Sequence, residues 1–397
     1  MKIAFVSDCY WPRVNGVTVS IQTFRDQLER LGHDTLVLAP SYPGAPVDPL
    51  KPKVRRFPSM SALISKEDRL ALPGAFRSLA RALDDFNPDL VHFNTEFALF
   101  QAGKRWCASR GKPVFVTCHT NWEFYIKHYA PWLPTMFARG LARFYMQRAY
   151  RSSDYILIPS PQMGQLLASY SISGPFHVLP TGIDPALFSP KPERVAAFRS
   201  RLLADAPHLA GKKLLLFVGR IGDEKNLSFL PPVLARVRSS RPDAALVLIG
   251  DGPYRHKILA EATAGGWADS VHAPGYMDRA DLGAAYAAAD VFVFPSKTET
   301  QGLTTIEAMM CGTPVVAIGA MGTLDVMQGD NGGFMVPDDH ERFAQAVLRL
   351  LDDPALHAAK SAEARAWASR FSVQATTDSL LGHYRDCLEG KGRRERA

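Results

Sequence analysis

The chain has 397 residues, too many for one ordinary hydrophobic core, and its 47% hydrophobic and 21% charged residues leave no room for extensive disorder. Lys and Arg outnumber Asp and Glu by 46 to 39, so the surface potential favours phosphates or anionic lipid as partners. No helix-turn-helix, zinc-finger or RNA-binding signature accompanies that charge, and we therefore expect no nucleic-acid partner.

In chain order, the first half alternates short apolar runs with helical stretches. The runs are apolar almost throughout, which is typical of parallel strands covered by helices on both faces. A helix is predicted between the first two strands, over residues 19–31, with Gly32 as its stop. The predicted strands are residues 3–6, 35–39, 90–93, 114–117, 155–158 and 177–179.

The same alternation restarts in the second half, after a Pro-bearing stretch that ends at Pro192. We therefore expect two α/β domains, residues 1–185 and 186–372. Residues 373–397 are expected to form a helix that packs back on the first domain, followed by a basic tail. The strands predicted here are 214–218, 245–249, 271–273, 291–294, 314–318 and 334–336, and the last helices are 343–351, 362–371 and 375–389.

Export and membrane insertion are not expected. The five cysteines show neither a C-x-x-C pair nor metal-ligand spacing, so they are predicted to be reduced thiols. Asp8 interrupts the first apolar run too early for a signal peptide, and nowhere do about 18 apolar residues follow one another. These features predict a cytoplasmic protein, with attachment to the inner face of a membrane left open.

Two loops of the second half carry residues suited to phosphate. Arg220 and Lys225 follow the first strand there and offer a guanidinium fork and an ammonium to a diphosphate, although loop cations are often simply solvated. Gly250 and Gly252 follow the next strand and allow a ligand to approach the backbone, although such turns also occur without one. The full G-x-G-x-x-G pattern is absent, which argues against a dinucleotide-dependent oxidoreductase.

The most informative motif is a pair of glutamates. Glu299 follows a buried strand, and Glu307 lies eight residues on in the next helix. Gly302 frees the loop between them, and the N–H groups near Leu303 and Thr304 at the helix start suit a diphosphate, with carboxylates beside them for sugar hydroxyls. The alternative is a solvated Glu307 and a Glu299 that only complements the helix dipole.

Two loops of the first half also follow predicted strands, at the edge where open parallel sheets bind ligands. Asn15 and Gly16 fit a tight turn that presents backbone donors. His119 follows the strand at 114–117. A ligand contact and a purely structural role are equally compatible with a lone histidine there.

Together these residues resemble family 4 glycosyltransferases, which retain the anomeric configuration and have the α/β GT-B fold of two facing Rossmann-like domains with an interdomain cleft. The pair of glutamates spaced E-x7-E, with G-x-P-V-V after it, is the most specific part. One departure is Asn226, where many members carry glycine; it should alter the loop without removing either cation. The matching segments cover nearly the whole chain: residues 15–17, 32–33, 181–184, 219–220, 224–225, 250–253, 275–277, 287–291 and 299–316.

The resemblance implies roles for the residues of the donor site. Arg220 and Lys225 would hold the donor diphosphate, and Glu307 the ribose. Glu299 would bind the hydroxyls of the transferred sugar, and His119 would help to close the site from the other domain; these two and the two cations form the expected catalytic set. The expected donor-binding residues are Gly16, Glu307, Gly302, Leu303, Thr304 and Gly252, with Tyr276 and Met277 along the nucleobase.

The first half looks like members that form glycolipids from diacylglycerol or related lipids. Residues 92–97 and 119–125 carry that similarity, but Asn94 departs from the expected H-x-H-T-E-F, which leaves the acceptor open. Residues 137–148 place basic residues one turn apart among aromatics, which suits anionic lipid; an ordinary packing helix with a solvated side is an equal alternative. The candidate acceptor contacts are Asn15, Glu96, Trp122 and Tyr125.

The implied reaction is front-face transfer of a hexose from a nucleotide sugar, either UDP-glucose, another UDP-hexose or GDP-mannose. The leaving diphosphate would accept the proton of the acceptor hydroxyl. No cofactor is expected beyond the donor substrate, and since no D-x-D occurs, no metal is expected. The alternatives are a soluble or polysaccharide acceptor, a non-catalytic binding protein, and a sugar-nucleotide epimerase of similar architecture.

Overall fold

The computed structural model describes residues 1–43, 53–61, 68–130, 132–151 and 153–391, and the side chains of Phe124, Lys127, His128 and Tyr129 lie outside that description. The chain forms two compact units, Met1–Gly182 with Val373–Ala397, and Ile183–Ser372. The division falls between Gly182 and Ile183, where the sequence predicts it between residues 185 and 186. The basic tail at 392–396 lies outside the described residues.

The first unit is built on a parallel sheet with a small antiparallel hairpin, β4 with β5. Its described strands are β1 (Lys2–Val6), β2 (Asp34–Pro40), β3 (Val54–Phe57), β4 (Ser59–Ser61), β5 (Arg69–Ala71), β6 (Leu90–Phe93), β7 (Val114–Thr117), β8 (Tyr155–Ile158) and β9 (Phe176–Val178). The sheet order is β3-β2-β1-β6-β7-β8-β9. Every residue of β6, β7 and β8 is buried, as their unbroken apolar sequences predict.

Helices cover this sheet. They are α1 (Gly16–Arg30), α2 (Gly74–Phe86), α3 (Ala98–Arg110), α4 (Trp122–Tyr129), α5 (Thr135–Tyr150) and α6 (Pro161–Ser169). Asp8, at the end of β1, caps α3 by accepting the N–H of Leu99 at 2.8 Å. The same carboxylate accepts the hydroxyl of Thr95 at 2.8 Å, so the loop after β1 is fixed to the loop after β6.

The second unit repeats the plan with one continuous stretch of chain. Its described strands are β10 (Lys213–Val218), β11 (Ala244–Ile249), β12 (Val271–Gly275), β13 (Val291–Phe294), β14 (Val315–Ile318) and β15 (Gly333–Val336). Their order, β12-β11-β10-β13-β14-β15, is the order of a Rossmann sheet. The helices are α7 (Pro185–Phe188), α8 (Pro192–Asp205), α9 (Leu230–Ser240), α10 (Arg255–Ala264), α11 (Arg279–Ala288), α12 (Leu303–Met310), α13 (Gly322–Met327), α14 (His340–Asp352) and α15 (Pro354–Ala368).

The last helix, α16 (Val373–Leu388), belongs to the first unit and packs against α1. Leu380 and Tyr384 lie in the same buried cluster as Phe5 of β1. The hydroxyl of Tyr384 also lies 2.6 Å from Nδ1 of His92 on β6. The end of the chain therefore supplies part of the core in which its beginning is buried.

All four helices that the sequence predicts by residue range start earlier in the structure, three of them at a capping residue. α14 begins at His340 rather than residue 343, after Asp339, and α16 begins at Val373 rather than residue 375. α1 begins at Gly16 rather than residue 19, because Asn15 accepts the N–H of Thr18 at 2.9 Å. α15 begins at Pro354 rather than residue 362, because Asp353 caps it and proline fits a first turn. Among the strands, β9 spans Phe176–Val178 instead of 177–179, and β3, β4 and β5 are not predicted at all because they are short and largely exposed.

Candidate functional site

The loops after β10 and β11 press against each other at the carboxyl edge of the second sheet. Gly250 and Gly252 have positive φ, and a Cβ on either would meet a carbonyl oxygen of the β10 loop, at 1.9 Å for Gly219 and 2.3 Å for Ile221. The Ile221 N–H also donates to Asp251 O at 2.9 Å. Contact between protein loops therefore requires both glycines, whether or not a ligand is bound.

Lys225 and Glu299 form an ion pair. Lys225 Nζ lies 2.5 Å from Glu299 Oε1, and the Ser296 hydroxyl donates to the same oxygen at 2.8 Å. Burial opposes ionisation, but the ammonium and the two hydrogen bonds outweigh it and lower the pKa of Glu299 below its ordinary value. Glu299 is therefore a carboxylate at neutral pH, and within the described chain only its Oε1 is engaged.

Arg220 and Asn226 belong to the same loop as Lys225. Arg220 is exposed, with Nη1 3.3 Å from Glu224 Oε1. Asn226 has a left-handed backbone with a φ of 56°, and its Nδ2 donates to Pro295 O at 3.2 Å. Glycine and asparagine adopt this conformation most readily, which gives a physical reason for their exchange at this position.

Glu307 is buried on α12, with 2% of its side chain exposed. Arg279 Nη2 lies 2.7 Å from Oε1, and the hydroxyl of Tyr286 donates to Oε2 at 2.9 Å. Both partners belong to α11, so the carboxylate fastens α12 to α11. The alternative of a solvated Glu307 is therefore wrong.

The start of α12 has donors without protein partners. α12 follows Gly302, whose φ is 86°, and within the described chain no side chain caps its first turn at Leu303 and Thr304. The buried hydroxyls of Thr305 and Thr323 lie 3.7 and 4.0 Å from where a Cβ on Gly302 would be, and neither has a hydrogen-bond partner among the described residues. Buried unpaired hydroxyls are rare, and here they adjoin a helix start that favours anions.

The loop that carries Glu299 rests on Gly322. The Gly322 N–H donates to Glu299 O at 2.9 Å, and a Cβ on Gly322 would lie 2.6 Å from Gln301 N. Met321, just before it, has a φ of 45°, which is uncommon for a residue of its size. The loop between β14 and α13 therefore supports the Glu299 loop and fixes its position.

Tyr276 and Met277 follow β12. The ring of Tyr276 is 63% exposed and accessible to a flat ligand, whereas Met277 packs against the core of the second unit. The carbonyl of Gly275 accepts the N–H of Gly250 at 2.9 Å, which connects this segment to the β11 loop.

In the first unit, Asn15 and Gly16 start α1 and do not form the tight turn that the sequence suggests. The Asn15 oxygen is committed to the Thr18 N–H, and its Nδ2 lies 3.6 Å from Cys9 Sγ. Gly16 is exposed as the first helical residue. This segment therefore offers a ligand the N–H groups of a helix start.

His119, after β7, is half-buried. Its Nε2 lies 3.1 Å from Asn94 Oδ1, and because an amide oxygen only accepts, the ring proton is on Nε2. Burial lowers the pKa of His119 to about 4, so the ring is neutral at pH 7 and offers Nδ1 as an acceptor. His92 has a structural role, since its nitrogens lie 2.6 Å from the hydroxyls of Thr117 and Tyr384.

Two of the candidate acceptor contacts are interior residues. Glu96 is 1% exposed, and the hydroxyl of Tyr150 donates to its Oε1. Burial raises the pKa of Glu96 to about 7. Trp122 is 5% exposed and its ring packs 4.6 Å from that of Tyr145, whereas Tyr125 is half-buried and more accessible.

α5 is apolar on two opposite faces. Ala138, Ala142 and Met146 are buried on one, while the other exposes large apolar side chains beside the exposed Arg139 and Arg143. Those side chains, with a tryptophan just before the helix, are Trp132, Met136, Phe137, Leu141 and Phe144, between 53% and 80% exposed. Exposed apolar side chains of this size favour a contact surface over the alternative of a packing helix with an ordinary solvated side.

Sequence reasoning missed Arg279, Tyr286 and Thr323. Arg279 and Tyr286 are seven residues apart and so share a face of α11, a signal that acquires meaning only once Glu307 is known to be buried. Thr323 has no sequence signal, because only the fold brings it beside Gly302.

Two observations concern metals and membranes. In the described ranges, no three His, Cys, Asp or Glu side chains are placed to hold a metal ion. Of the helices described, none is both long and apolar enough to cross a bilayer.

Comparison with protein families and curated sequences gives consistent results. The family model "Glycosyltransferase Family 4" matches residues 14–187, and "Glycosyl transferases group 1" matches residues 212–353. The chain is 31% identical to the alpha-monoglucosyldiacylglycerol synthase of Streptococcus pneumoniae, over 88% of this chain and 78% of that protein. It is 30% identical to a GDP-mannose-dependent alpha-mannosyltransferase of Mycolicibacterium smegmatis, over 98% of each.

Solved structures share the fold. The Anabaena protein HepE, in complex with UDP and glucose, superposes with a TM-score of 0.76 at 19% identity, over 96% of this chain and 99% of that one. The sucrose-phosphate synthase of Thermosynechococcus elongatus gives a TM-score of 0.77 at 21% identity, over 98% and 100%. These likenesses show the GT-B fold that the resemblance implies.

Proposed function

Because this chain belongs to glycosyltransferase family 4, we propose that it transfers a hexose from a nucleotide sugar to a hydroxyl of a membrane lipid, with retention of the anomeric configuration and without a metal. The proposed donor is UDP-glucose, another UDP-hexose or GDP-mannose, and the proposed acceptor is diacylglycerol or a related lipid. The name of the pneumococcal relative supports a glucosyl group and a diacylglycerol acceptor, and that of the mycobacterial relative supports GDP-mannose.

The observation that carries the proposal is the carboxylate of Glu299. Lys225 and Ser296 hold one of its oxygens, and the other has no partner among the described residues. A carboxylate fixed in this way accepts hydrogen bonds from sugar hydroxyls. Lys225 has further N–H groups for a phosphate, and the exposed Arg220 adds a fork from the same loop.

Transfer by this route needs no protein nucleophile. The leaving diphosphate takes the proton of the acceptor hydroxyl, while Arg220, Lys225 and the start of α12 stabilise the negative charge that develops on it. A neutral His119 contributes hydrogen bonds without competing for that proton.

A panel of nucleotide sugars tests the donor. A bound donor at about a hundredfold its Kd raises the stability by about 2.7 kcal/mol, which thermal shift detects. E299Q should keep UDP binding but slow transfer by about a hundredfold or more, because the amide cannot replace the charge. E193Q, at an exposed position of α8, is the control.

Three outcomes would contradict this mechanism. They are undiminished transfer by E299Q, a covalent glycosyl-enzyme trapped with that variant, and loss of turnover in a chelator. Product analysis with and without lipid separates transfer from epimerisation.

The exposed face of α5 supports a lipid acceptor. Phe137, Leu141 and Phe144 are each more than half exposed on a helix that also exposes Arg139 and Arg143. Apolar side chains bordered by cations suit the interface of an anionic bilayer. We propose that this face lies on the membrane that holds the acceptor.

Vesicle cosedimentation tests this attachment. The L141Q/F144Q variant should bind vesicles that contain phosphatidylglycerol at least about thirtyfold more weakly than the wild type, since each of the two buried apolar side chains contributes about 1 to 2 kcal/mol. L31Q is a matched control, because Leu31 is 48% exposed, close to the 53% of Leu141, but lies at the end of α1. Equal binding by all three proteins would remove the membrane from the proposal.

A further inference from the structure

Two arginines of the first unit have no acidic partner among the residues that the structure describes. Arg56 lies on β3 and Arg69 on β5, and every hydrogen bond that either makes within the described chain goes to a neutral oxygen. Arg69 is only 9% exposed. Arg56 is exposed, but burying the charge of Arg69 without a counter-charge is costly, so the Arg69 guanidinium calls for an anion.

Both guanidiniums lie against the ring of Tyr42. Their central carbons are 6.0 Å (Arg56) and 5.9 Å (Arg69) from its centroid, and Arg56 is also 5.4 Å from the centroid of Tyr10. The Tyr42 hydroxyl is buried and has no hydrogen-bond partner among the described residues. Two positive charges therefore lie about equally far from one aromatic ring, whose buried hydroxyl is unpaired in the described part of the chain.

The neutral oxygens fix the positions of the guanidiniums but do not explain their charge. They engage two of the five N–H groups of Arg56 and three of those of Arg69. An uncharged donor would satisfy the same oxygens. The acceptors are Pro40 O at 3.1 Å and Trp11 O for Arg56, and Ser59 Oγ at 3.1 Å, Ser59 O at 2.8 Å and Ser61 Oγ at 2.8 Å for Arg69.

The cluster lies where this sheet receives ligands. Tyr10 follows β1, Tyr42 follows β2, and Arg56 is near the end of β3, so the residues occupy the carboxyl ends of three adjacent parallel strands. Another arginine of the β1 loop, Arg13, is already neutralised by Asp68. Within the described ranges, no carboxylate is bonded to Arg56 or Arg69.

We propose that Arg56 and Arg69, with the hydroxyl of Tyr42, form an anion site that binds a phosphate group on the acceptor side of the reaction. The phosphate belongs either to the acceptor or to a lipid headgroup beside it, and guanidinium forks match its oxygens. The assignment of this site to the acceptor side rests on the proposed function, whereas the binding of phosphate does not depend on it.

Soluble phosphates test the site directly. Calorimetry at low salt should show binding of sn-glycerol 3-phosphate and inorganic phosphate to the wild type, weakened about tenfold in R56Q. R55Q is the matched control, because Arg55 is the neighbouring residue of β3, is exposed, and bonds to no described residue. Equal weakening in R55Q and R56Q would show a general charge effect and overturn the site, as would the absence of binding to the wild type and to vesicles.

A second variant guards against misfolding of R56Q. R56K keeps the charge but loses the fork, and it should bind phosphate more weakly than the wild type while melting at a similar temperature.

Vesicles of phosphatidylcholine, with and without phosphatidylglycerol, identify the source of the phosphate. If phosphatidylglycerol strengthens vesicle binding by the wild type but not by R56Q, the phosphate belongs to a lipid headgroup. If the wild type binds glycerol 3-phosphate and R56Q does not, the phosphate belongs to the acceptor.

The binding experiments need no turnover, so the two proposals fail separately. If phosphate binding depends on Arg56 but no hexose is transferred, the proposed function is contradicted and the phosphate site is supported. Hexose transfer with equal kcat/KM in the wild type, R55Q and R56Q, together with no phosphate binding, would sink only the site.

Discussion

Arg279 holds the buried carboxylate of Glu307 from the first turn of α11, with its Nη2 2.7 Å from Oε1. The pair is uneven, since the carboxylate is 2% exposed and the guanidinium side chain 33%. Glu307 therefore depends on Arg279 far more than Arg279 depends on Glu307.

We expect R279Q to lower the free energy of unfolding by roughly 3 kcal/mol, because it leaves a buried carboxylate without its cation. The R279Q/E307Q double variant should recover part of that loss. R201Q is the control, because Arg201 pairs with Asp281 of the same helix at an exposed position and should cost less than about 1 kcal/mol. Urea denaturation measures all three, and an R279Q no worse than R201Q would refute the assignment.

The hydroxyls of Thr305 and Thr323 separate stability from function. T305V and T323V each remove a buried unpaired hydroxyl, so neither should lower the melting temperature of the free protein. If these hydroxyls face the donor, each variant should raise the KM for the nucleotide sugar by about tenfold. T377V is the control, because it removes a buried hydroxyl of α16 that also has no partner among the described residues, and it should leave KM unchanged. An equal KM in all three variants would show that the donor does not bind the hydroxyls of Thr305 and Thr323.

Gly322 should be intolerant of any side chain. A Cβ there would lie 2.6 Å from the backbone of the Glu299 loop, so G322A must displace the loop and should cut kcat by about tenfold or more. G382A is the control, because Gly382 lies within α16 with open space beside it and alanine there should stabilise by about 0.5 to 1 kcal/mol. Wild-type kcat in G322A would show that the loop does not need this support.

Glu96 should make stability depend on pH. Burial raises its pKa from 4.5 to about 7, so the folded protein keeps a proton that the unfolded chain releases between those values. That stabilisation is complete below about pH 4.5 and is lost as the pH rises through about 7. Relative to the wild type, E96Q should therefore gain about 2 to 3 kcal/mol between about pH 5 and pH 8.

Denaturation at both pH values measures this difference, and subtraction cancels contributions shared by the two proteins. The shared contributions include His92 and His119, whose lowered pKa values act in the opposite direction, reducing stability as the pH falls below 6.5. E193Q, at an exposed glutamate, should show no such gain. A constant difference between E96Q and the wild type would contradict the assignment.

The strands were predictable because their signal is local. β6, β7, β8 and β13 have the predicted bounds, since each is a continuous apolar run that must be covered on both faces. The starts of α1 and α15 were harder to predict from the sequence. Asn15 and Asp353 also suit turns, and only the backbone that follows shows that they cap helices.

The candidate site was predictable where chemistry coincides with spacing, as for Lys225 and Glu299. It was not predictable where the fold decides which groups are paired. Nothing local to Glu307 reveals that two residues of another helix take its oxygens. In the same way, Arg56 and Arg69 have an ordinary sequence context, and only the three-dimensional structure shows that their described hydrogen-bond partners are all neutral.

The return of α16 to the first unit has a consequence for biosynthesis. Leu380 and Tyr384 share a core with Phe5, yet they leave the ribosome only after Ile183–Ser372 has been translated. The second unit is one uninterrupted stretch and has all its own residues before that moment. A nascent chain that stalls short of residue 380 therefore lacks part of the hydrophobic core of its first unit. The N-terminal unit, although translated first, is the last to be completed.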